Sequence, residues 1–431
     1  MKTVFALVDA NNFFVSCERL FRPDLAGKPV IVRSSNDGCV VARSNEAKAL
    51  GIPMGVPVFK IRQLLDDHHV VEFSGNFELY GDISRRLSES LSRLCPKLEV
   101  YSVDESFLDL SELEIKDYET WGRQAHQIVW HKVGLPVSIG IAPTKTLAKI
   151  ASHLAKHDPD SHGVVDLMSK SEVEIDRLLL NLPLKEVWGI GWRLAPRLRA
   201  EGLVNAYQVK SLSAERASSL MGLPGRQLVA ELNGISCHGL EPALKPRQSL
   251  ARTRMFGADS RELPVLEAAL ASLTASACTE LRQQHLLAGQ GSLFLTTNKH
   301  KPGYRRWSRE IKLSPPTADT GKIISMFTDA LAEIFNPAAN YHRAGVLLQD
   351  LTSDSRLQTD LLGEVDVTIH ELAKDRLKAV DKINKLWGKS TIHYATESLS
   401  QAWQPRQGLR SPRYTTSWEE LPEATIAYRV K

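Results

Sequence analysis

Apolar residues in the first half of this chain follow two different spacings, which predict strands and helices respectively. The uninterrupted run from Val4 to Val8 predicts a buried strand that ends at Asp9, and Val137 to Ile141 predicts another. Over residues 78–94 leucine and isoleucine recur every three or four positions, which predicts an amphipathic helix. These alternating strands and helices favour a mixed fold.

Strand and helix patterns continue along the chain, and charged residues interrupt one of the predicted strand pairs. Residues 98–110 alternate as a pair of strands around Asp104-Glu105, and a helix is predicted from Thr144 to His157. Residues 184–235 predict short helices with glycine-rich turns, and residues 236–250 predict a linker. A mixed α/β region follows to about residue 350, and the remainder is polar and less patterned.

Composition narrows the class of protein without identifying it. A length of 431 residues predicts two to four domains. The net charge of +4 is too small to predict nucleic-acid binding by itself, so only local basic clusters can do so. The five cysteines form no CxxC pair, which favours a reducing cytosol, and no apolar run is long enough to predict a membrane span or a membrane partner.

Three acidic residues occupy positions where burial would be costly. Asp9 ends the first strand, and Asp104 with Glu105 interrupts an otherwise apolar stretch. A divalent cation with oxygen ligands would compensate such charges, and a pair of magnesium ions can promote phosphoryl transfer. The acids could equally mark a turn and a hairpin tip, and their spacing alone does not decide between these alternatives.

The residues around these acids resemble the two palm motifs of the Y-family DNA polymerases. The motifs are Phe-Ala-Leu-Val-Asp-Ala-Asn-Asn-Phe-Phe at residues 5–14 and Tyr-Ser-Val-Asp-Glu-Ser-Phe at residues 101–107. The resemblance implies an α+β multidomain right hand, with an antiparallel-sheet palm, small fingers, a helical thumb and an α/β little finger. It also implies that Asp9, Asp104 and Glu105 are catalytic and, with the Ala10 carbonyl, hold two Mg²⁺ ions.

The resemblance divides the chain into five parts. It implies a palm at 1–22 and 75–170, fingers at 23–74, a thumb with a helix-hairpin-helix at 171–240 and a little finger at 241–350. A C-terminal interaction tail is implied at 351–431. Its last part, residues 409–416 with Arg429-Val430-Lys431, resembles the branch that contains the UmuC-type catalytic subunits of bacterial DNA polymerase V.

Several side chains are implied to contact the incoming dNTP. The aromatic residue five positions after the first acid, Phe14, resembles the steric gate that excludes a 2′-hydroxyl, with Phe13 beside it. Asn45 and Lys48 occupy positions where many relatives have Tyr and Arg. Lys48 would therefore contact phosphate as a point charge, without the two parallel hydrogen bonds of an arginine guanidinium. Lys149 is implied to bind triphosphate, although such a lysine is more commonly just part of a solvated helix face.

DNA-binding residues are predicted in two regions. Gly189, Gly191 and Arg193 lie in a segment that resembles the thumb helix-hairpin-helix, where glycines let the backbone approach a phosphate. Two basic clusters in the little finger favour contact with the phosphate backbone. They contribute Arg252, Arg254, Arg305 and Arg306. A ligand-free helical hairpin and solvated charged faces are the alternatives.

The tail contains candidate protein-binding residues and no candidate catalytic residue. Gln358, Leu361 and Leu362 resemble a sliding-clamp-binding peptide, a short pattern that also arises by chance. The family resemblance further implies a processed UmuD-type accessory subunit and a RecA filament, besides primer-template DNA and dNTP.

The expected function is error-prone translesion synthesis in the SOS response of a bacterium, in the cytoplasm at the nucleoid. A metal-dependent nuclease and a non-catalytic scaffold on DNA or RecA filaments are the rival hypotheses.

Overall fold

A computed structural model of the chain describes residues 3–241, 247–355, 367–388, 390–398 and 403–422. The chain forms two compact units. Unit 1 comprises Met1–Ser34, Gly38–Leu244 and Leu409–Lys431, and unit 2 comprises Ser35–Asp37 and Lys245–Gly408. Among the described residues, no helix combines the length and apolar character needed to cross a membrane.

Unit 1 contains two sheets. Its strands are β1 (Phe5–Ala10), β2 (Val30–Arg33), β3 (Val40–Arg43), β4 (Val71–Ser74), β5 (Leu98–Val100), β6 (Glu105–Asp109), β7 (Val137–Ala142) and β8 (Val164–Asp166). The larger sheet has the order β5-β6-β1-β7-β8, and the smaller has the order β3-β2-β4. The larger sheet is antiparallel as predicted except at its edge, where β8 runs parallel to β7.

Helices cover both sheets of unit 1. They are α1 (Phe13–Phe21), α2 (Asn45–Ala49), α3 (Arg62–Asp67), α4 (Phe77–Ser92), α5 (Tyr118–Val133), α6 (Lys145–His157), α7 (Glu172–Leu180), α8 (Leu194–Ala200), α9 (Ala206–Lys210) and α10 (Ala214–Leu232). The region predicted to be all helical is therefore confirmed as α8 to α10, and α10 is interrupted at Gly222, whose φ of 71° is not helical.

Helix α6 lies unusually close to the larger sheet because of one glycine. A Cβ on Gly140 of β7 would lie 2.1 Å from the Ser152 amide nitrogen and 2.3 Å from the Ala148 carbonyl oxygen. Only glycine permits this approach. Thr144 caps the helix, since its side chain accepts a hydrogen bond from the Leu147 amide. The side chains of α6 can therefore reach the strands beyond β7.

Unit 2 is a four-stranded antiparallel sheet with helices packed on one face. Its elements are β9 (Ser249–Ser260), α11 (Leu263–Gln283), β10 (Leu286–Thr296), β11 (Arg306–Thr317), α12 (Thr320–Ile334), β12 (Tyr341–Ser353) and α13 (Val367–Trp387). The strand order is β11-β10-β12-β9. Its core includes Leu295 and Val346, both fully buried.

The predicted tail does not form one body. Strand β12 extends to Ser353, α13 belongs to unit 2, and the residues from Leu409 belong to unit 1. The polar sequence beyond residue 351 gave no prediction of the 21-residue helix α13. The five-part division of the chain stays a prediction.

Candidate active site and nucleic-acid interface

The three acids meet at one end of the larger sheet. Asp9, near the end of β1, is the cross-strand partner of Glu105, the first residue of β6. The Ala10 amide donates a hydrogen bond of 2.8 Å to the carbonyl oxygen of Asp104. The Asp9 and Glu105 side chains are 18% and 16% exposed, so both carboxylates are accessible from solvent while largely enclosed.

Two lysines on one side of α6 neutralise two of these carboxylates. The Lys149 ammonium lies 2.8 Å from both carboxylate oxygens of Glu105, and Lys156 Nζ lies 2.9 Å from Asp9 Oδ1. These lysines are seven residues apart, about two helical turns, so they project from the same side of the helix. Asp104 instead accepts a 2.6 Å hydrogen bond from the Ser102 hydroxyl.

Shifted pKa values indicate how densely charge is packed here. Burial raises the pKa of Glu105, and the charges of Asp9 and Asp104 raise it further against the opposing effect of Lys149. Burial likewise lowers the pKa of Lys48, and the charges of Lys156 and Arg43 lower it further. The acids and the basic residues around them therefore belong to one electrostatic cluster.

The chemistry of the acids suits a hard cation. Carboxylate oxygens are the ligands that magnesium prefers, and the mutual repulsion acting on Glu105 is what a bound cation would relieve. In the described part of the chain, however, no three His, Cys, Asp or Glu side chains are grouped closely enough to hold an ion. Lysines already pair with Asp9 and Glu105, so these ion pairs would have to open before the carboxylates could bind a metal ion.

Polar side chains from α1 and α2 extend the cluster. Lys48 Nζ donates to Asn12 Oδ1 at 2.6 Å, and Asn12 Nδ2 donates to Asn45 Oδ1 at 3.0 Å. Asn12 has a left-handed backbone with a φ of 50°, which asparagine tolerates better than most residues. The structure thus joins Lys48 and Asn45 through Asn12, and the role of both residues in binding dNTP stays a prediction.

The adjacent phenylalanines of α1 differ in burial. Phe13 is 4% exposed and lies in the core, whereas Phe14 is only partly buried. The Phe14 ring stacks on Tyr80 with centroids 4.5 Å apart and meets Phe77 edge-on at 5.8 Å. Phe14 is therefore partly accessible to a ligand, whereas Phe13 is almost inaccessible.

Aromatic rings surround the Lys149 ammonium, and sequence reasoning did not anticipate them. Lys149 Nζ lies 4.8 Å from the ring centre of Tyr101 and 5.9 Å from that of Trp188. Trp188 Nε1 donates to the Tyr101 hydroxyl at 3.1 Å. These contacts hold Lys149 in place by cation–π attraction. Lys145, by contrast, forms a buried ion pair with Glu99 and lies 5.0 Å from the ring centre of Phe107.

The glycine-rich turn before α8 is open to solvent. No atom lies within 4 Å of a Cβ built on Gly189 or Gly191, and Gly189 has a φ of 90°. Trp192 is 79% exposed, and the Arg193 guanidinium lies 4.8 Å from its ring centre. The turn is therefore accessible to a phosphate, and its contact with DNA stays a prediction.

The four predicted arginines of unit 2 lie on different surfaces. Arg252 pairs with Glu280 of α11, and Arg254 follows two residues later on the same, helix-covered face of the sheet. Arg306 lies on the open face with its guanidinium 4.6 Å from the Phe294 ring centre, and Arg305 is exposed beside it. Arg343, which sequence reasoning missed, contacts the same ring at 5.8 Å.

The predicted clamp-binding residues Gln358, Leu361 and Leu362 lie outside the described residues.

Comparisons with known proteins agree with this architecture. Family models match residues 8–153 as the impB/mucB/samB family, residues 247–361 as its C-terminal domain and residues 377–424 as a domain of unknown function (DUF4113). Protein SamB of Salmonella typhimurium is 36% identical over 98% of this chain and 100% of its own length. Protein UmuC of Salmonella typhimurium strain LT2 is 37% identical over 97% of this chain and 99% of its own length.

Solved structures match the fold. A Y-family DNA polymerase chimera of Dbh and Dpo4 superposes with a TM-score of 0.63 at 22% identity, and covers 81% of this chain and 99% of its own. An insertion ternary complex of Dbh DNA polymerase gives 0.53, again at 22% identity, over 80% of this chain and 98% of its own. The fold is therefore that of a Y-family DNA polymerase, a class of DNA-directed DNA polymerases whose members in general depend on a divalent metal.

Within that class, the chain belongs to the impB/mucB/samB family.

Proposed function

We propose that this protein catalyses error-prone translesion DNA synthesis during the SOS response to DNA damage. The primer 3′-hydroxyl loses its proton to solvent, and its oxygen attacks the α-phosphorus of a dNTP. The bond from that phosphorus to the oxygen that bridges to the β-phosphate breaks. Pyrophosphate leaves, and the primer is one nucleotide longer. The observation that carries the proposal is the in-register pairing of Asp9 with Glu105, with Asp104 beside them at the same end of the sheet.

Asp9, Asp104, Glu105 and the Ala10 carbonyl would hold two Mg²⁺ ions. When bound, such ions stabilise the attacking and leaving oxygens of an in-line displacement. Lys149 and Lys156 would then leave their carboxylate partners, Glu105 and Asp9, and bind triphosphate oxygens instead. Lys48 and Asn45 would bind the same triphosphate from the fingers, and Phe14, with Phe13 behind it, would pack against the sugar.

DNA would be held by surfaces in both units. Gly189, Gly191 and Arg193 would meet backbone phosphates, and so would the arginines of unit 2. Contacts of this kind neutralise phosphate charge without reading sequence, which suits an enzyme that extends any primer. A processed UmuD-type accessory subunit, a RecA filament and a sliding clamp are proposed partners on the family resemblance, with the protein acting at the nucleoid in the cytoplasm.

Primer extension past an abasic site, with magnesium and dNTPs, tests the proposal. Wild type is compared with the Asp104→Ala, Glu105→Ala double variant, with and without the RecA filament and accessory subunit. We expect extension by wild type and at least a thousandfold loss in the variant, since electrostatic stabilisation is a large term in such chemistry. DNA binding by both proteins is measured as the control.

The remaining outcomes separate the rival functions. Equal extension by both proteins would exclude the carboxylate mechanism. Degradation of DNA that needs no dNTP would support a nuclease. DNA binding without extension by either protein, with all partners present, would support a scaffold.

A further inference from the structure

The C-terminal segment 409–414 is built into unit 1 beside the fingers. The Ser74 amide donates to the Leu409 carbonyl at 3.0 Å, and the Leu409 amide donates to the Ser74 hydroxyl at 3.0 Å. Arg410 forms a parallel bridge with Ser74, at the end of β4. The segment therefore forms an isolated β-bridge at the edge of the smaller sheet, although it follows β4 by more than three hundred residues.

One buried asparagine fastens this segment to the first turn of α4. Asn76 is 1% exposed, and its Nδ2 donates to the carbonyl oxygens of Ser411 and Pro412 at 3.1 Å and lies 3.0 Å from the Ser411 hydroxyl. Its Oδ1 accepts from the Leu79 amide as the helix cap. The same side chain thus fixes both the segment and the start of α4, which carries Phe77 and Tyr80.

A buried carboxylate joins the segment to α1. Glu18 is fully buried, and its Oε1 accepts from the Tyr80 hydroxyl at 2.7 Å and from the Ser411 hydroxyl at 3.0 Å. Its Oε2 has no hydrogen-bond partner among the described residues. Because burying a carboxyl group is costly unless it is hydrogen-bonded, these two donors matter more than surface contacts would.

Both connections converge on Phe14. Glu18 follows Phe14 by four residues on α1, so one helical turn separates them. Tyr80, which donates to Glu18, stacks its ring on the Phe14 ring at an interplanar angle of 16°. Phe77, at the turn that Asn76 caps, meets the same ring at 89°. The C-terminal segment therefore supports two of the rings that hold Phe14.

We propose that segment 409–414 positions the Phe14 ring and so determines how strictly the protein rejects ribonucleotides. Ser411 and Asn76 act as positioning residues, through Glu18 and Tyr80. The inference rests on the proposed role of Phe14 as the steric gate. It assigns a task to the end of the DUF4113 region, whose description names none. Sugar selectivity would thereby depend on a segment far from the gate in sequence.

The test compares two serine-to-alanine changes in the same tail. Ser411→Ala removes the hydroxyl that binds Glu18, while the backbone bonds from Asn76 keep the segment in place. Ser417→Ala is the matched control, because the Ser417 side chain forms no capping bond. The readout is the ratio of kcat/KM for rNTP to that for dNTP in primer extension, with kcat and KM determined separately.

We expect Ser411→Ala to raise this ratio about fivefold, the effect of one lost hydrogen bond, mainly through a lower KM for rNTP. Tyr80→Phe keeps the stacked ring but loses the bond to Glu18, so it should raise the ratio as well. Ser411→Thr retains the hydroxyl and should behave as wild type, as should Ser417→Ala. If segment 409–414 has only a structural role, Ser411→Ala should lower the melting temperature and leave the ratio unchanged. That result would overturn the inference.

Phe14→Ala is the reference variant, because it distinguishes failure of the positioning role of segment 409–414 from failure of Phe14 as the steric gate. If Phe14→Ala raises the ratio and neither Ser411→Ala nor Tyr80→Phe does, this inference fails alone. If Phe14→Ala leaves the ratio unchanged, the steric gate fails and the inference fails with it. Absence of dNTP extension by wild type, with all partners present, would instead reject the proposed polymerase.

Discussion

At the scale of single residues, two of the three acids of the candidate site are paired with lysines. Lys149 neutralises Glu105, and Lys156 neutralises Asp9. This arrangement reduces the repulsion among three clustered acids that would otherwise disfavour the fold. It also keeps two ammonium groups where a triphosphate would need them.

Glu18 gives the site a measurable pH dependence of stability. Its pKa is raised, first by burial, against opposing hydrogen bonds from Tyr80 and Ser411 and the charge of Arg22. Since the folded-state pKa exceeds the unfolded one, Glu18 stabilises the fold most below its unfolded pKa of about 4.3. That contribution is lost as pH rises through the folded value.

Glu18→Gln removes this titration, so wild type should lose stability relative to the variant as pH rises from about 4, by at most about 1.4 kcal/mol per pH unit. Urea unfolding of both proteins at several pH values measures the difference. The other titratable groups near Glu18, which are Cys17, Tyr80 and Tyr414, have raised pKa values and stay neutral in this range. A difference that is constant with pH would contradict the prediction.

Sequence reasoning identified the acids because each interrupts an apolar run within a motif of the family. It missed Lys156 and Asn12, because a lysine on a helix and an asparagine before one have many ordinary roles. It missed the contacts of Glu18 and Asn76 for a different reason. Their partner Ser411 lies 393 and 335 residues away, and no local pattern predicts such a pair.

At the scale of elements, the sheet of unit 2 has two unlike faces. Helices α11 and α12 cover the face that includes Leu295 and Val346. On the other face the Phe294 ring lies across Gly345, whose added Cβ would come within 2.4 Å of it. Arg306 and Arg343 lie against that ring, so the open face presents an aromatic platform with two guanidinium groups, suited to a nucleic-acid backbone.

Removing both open-face charges should weaken DNA binding and its salt dependence together. For Arg306→Gln with Arg343→Gln, we expect the slope of log K against log salt to become shallower by about 1.8, since each phosphate contact contributes about 0.9. Fluorescence anisotropy with a primer-template at several salt concentrations measures it.

The comparison variant, Arg252→Gln with Arg254→Gln, removes the same charge from the helix-covered face. We expect it to change the slope less, because Arg252 already pairs with Glu280. Equal slopes for both double variants would show that overall charge, and not the open face, governs binding.

The sequence predicted basic clusters at these arginines within a mixed α/β region, without assigning the arginines to a face of a sheet. The face depends on cross-strand register, which sets Arg254 opposite buried Ala344 and Arg306 opposite Thr296. Register is a property of paired strands, so a pattern within one strand cannot supply it.

At the scale of the whole molecule, the last described residues return to the unit that contains the first strand. The segment from Leu409 contacts β4, α1 and α4, and Tyr414 stacks on Phe21 with centroids 4.5 Å apart. A sequence divided into successive domains cannot predict this return, because composition shows only that the region is polar. Residues 409–422 are therefore part of the fold of unit 1, in addition to any partner they bind.

Deletion of residues 409–431 should loosen unit 1 and leave unit 2 unchanged. The deletion removes the residues that bond to Ser74, the donor to Glu18 and the ring on Phe21, so amides in β4, α1 and α4 should exchange at least about tenfold faster. Strands β10 and β12, which pair with each other in the core of unit 2, should keep their protection.

Hydrogen exchange followed by mass spectrometry of peptides resolves these elements separately. The control is Trp418→Ala, which alters a side chain in the same tail that is 91% exposed. Faster exchange throughout both units would indicate global destabilisation, and unchanged exchange in α1 and α4 would show that the C-terminal segment adds nothing to unit 1.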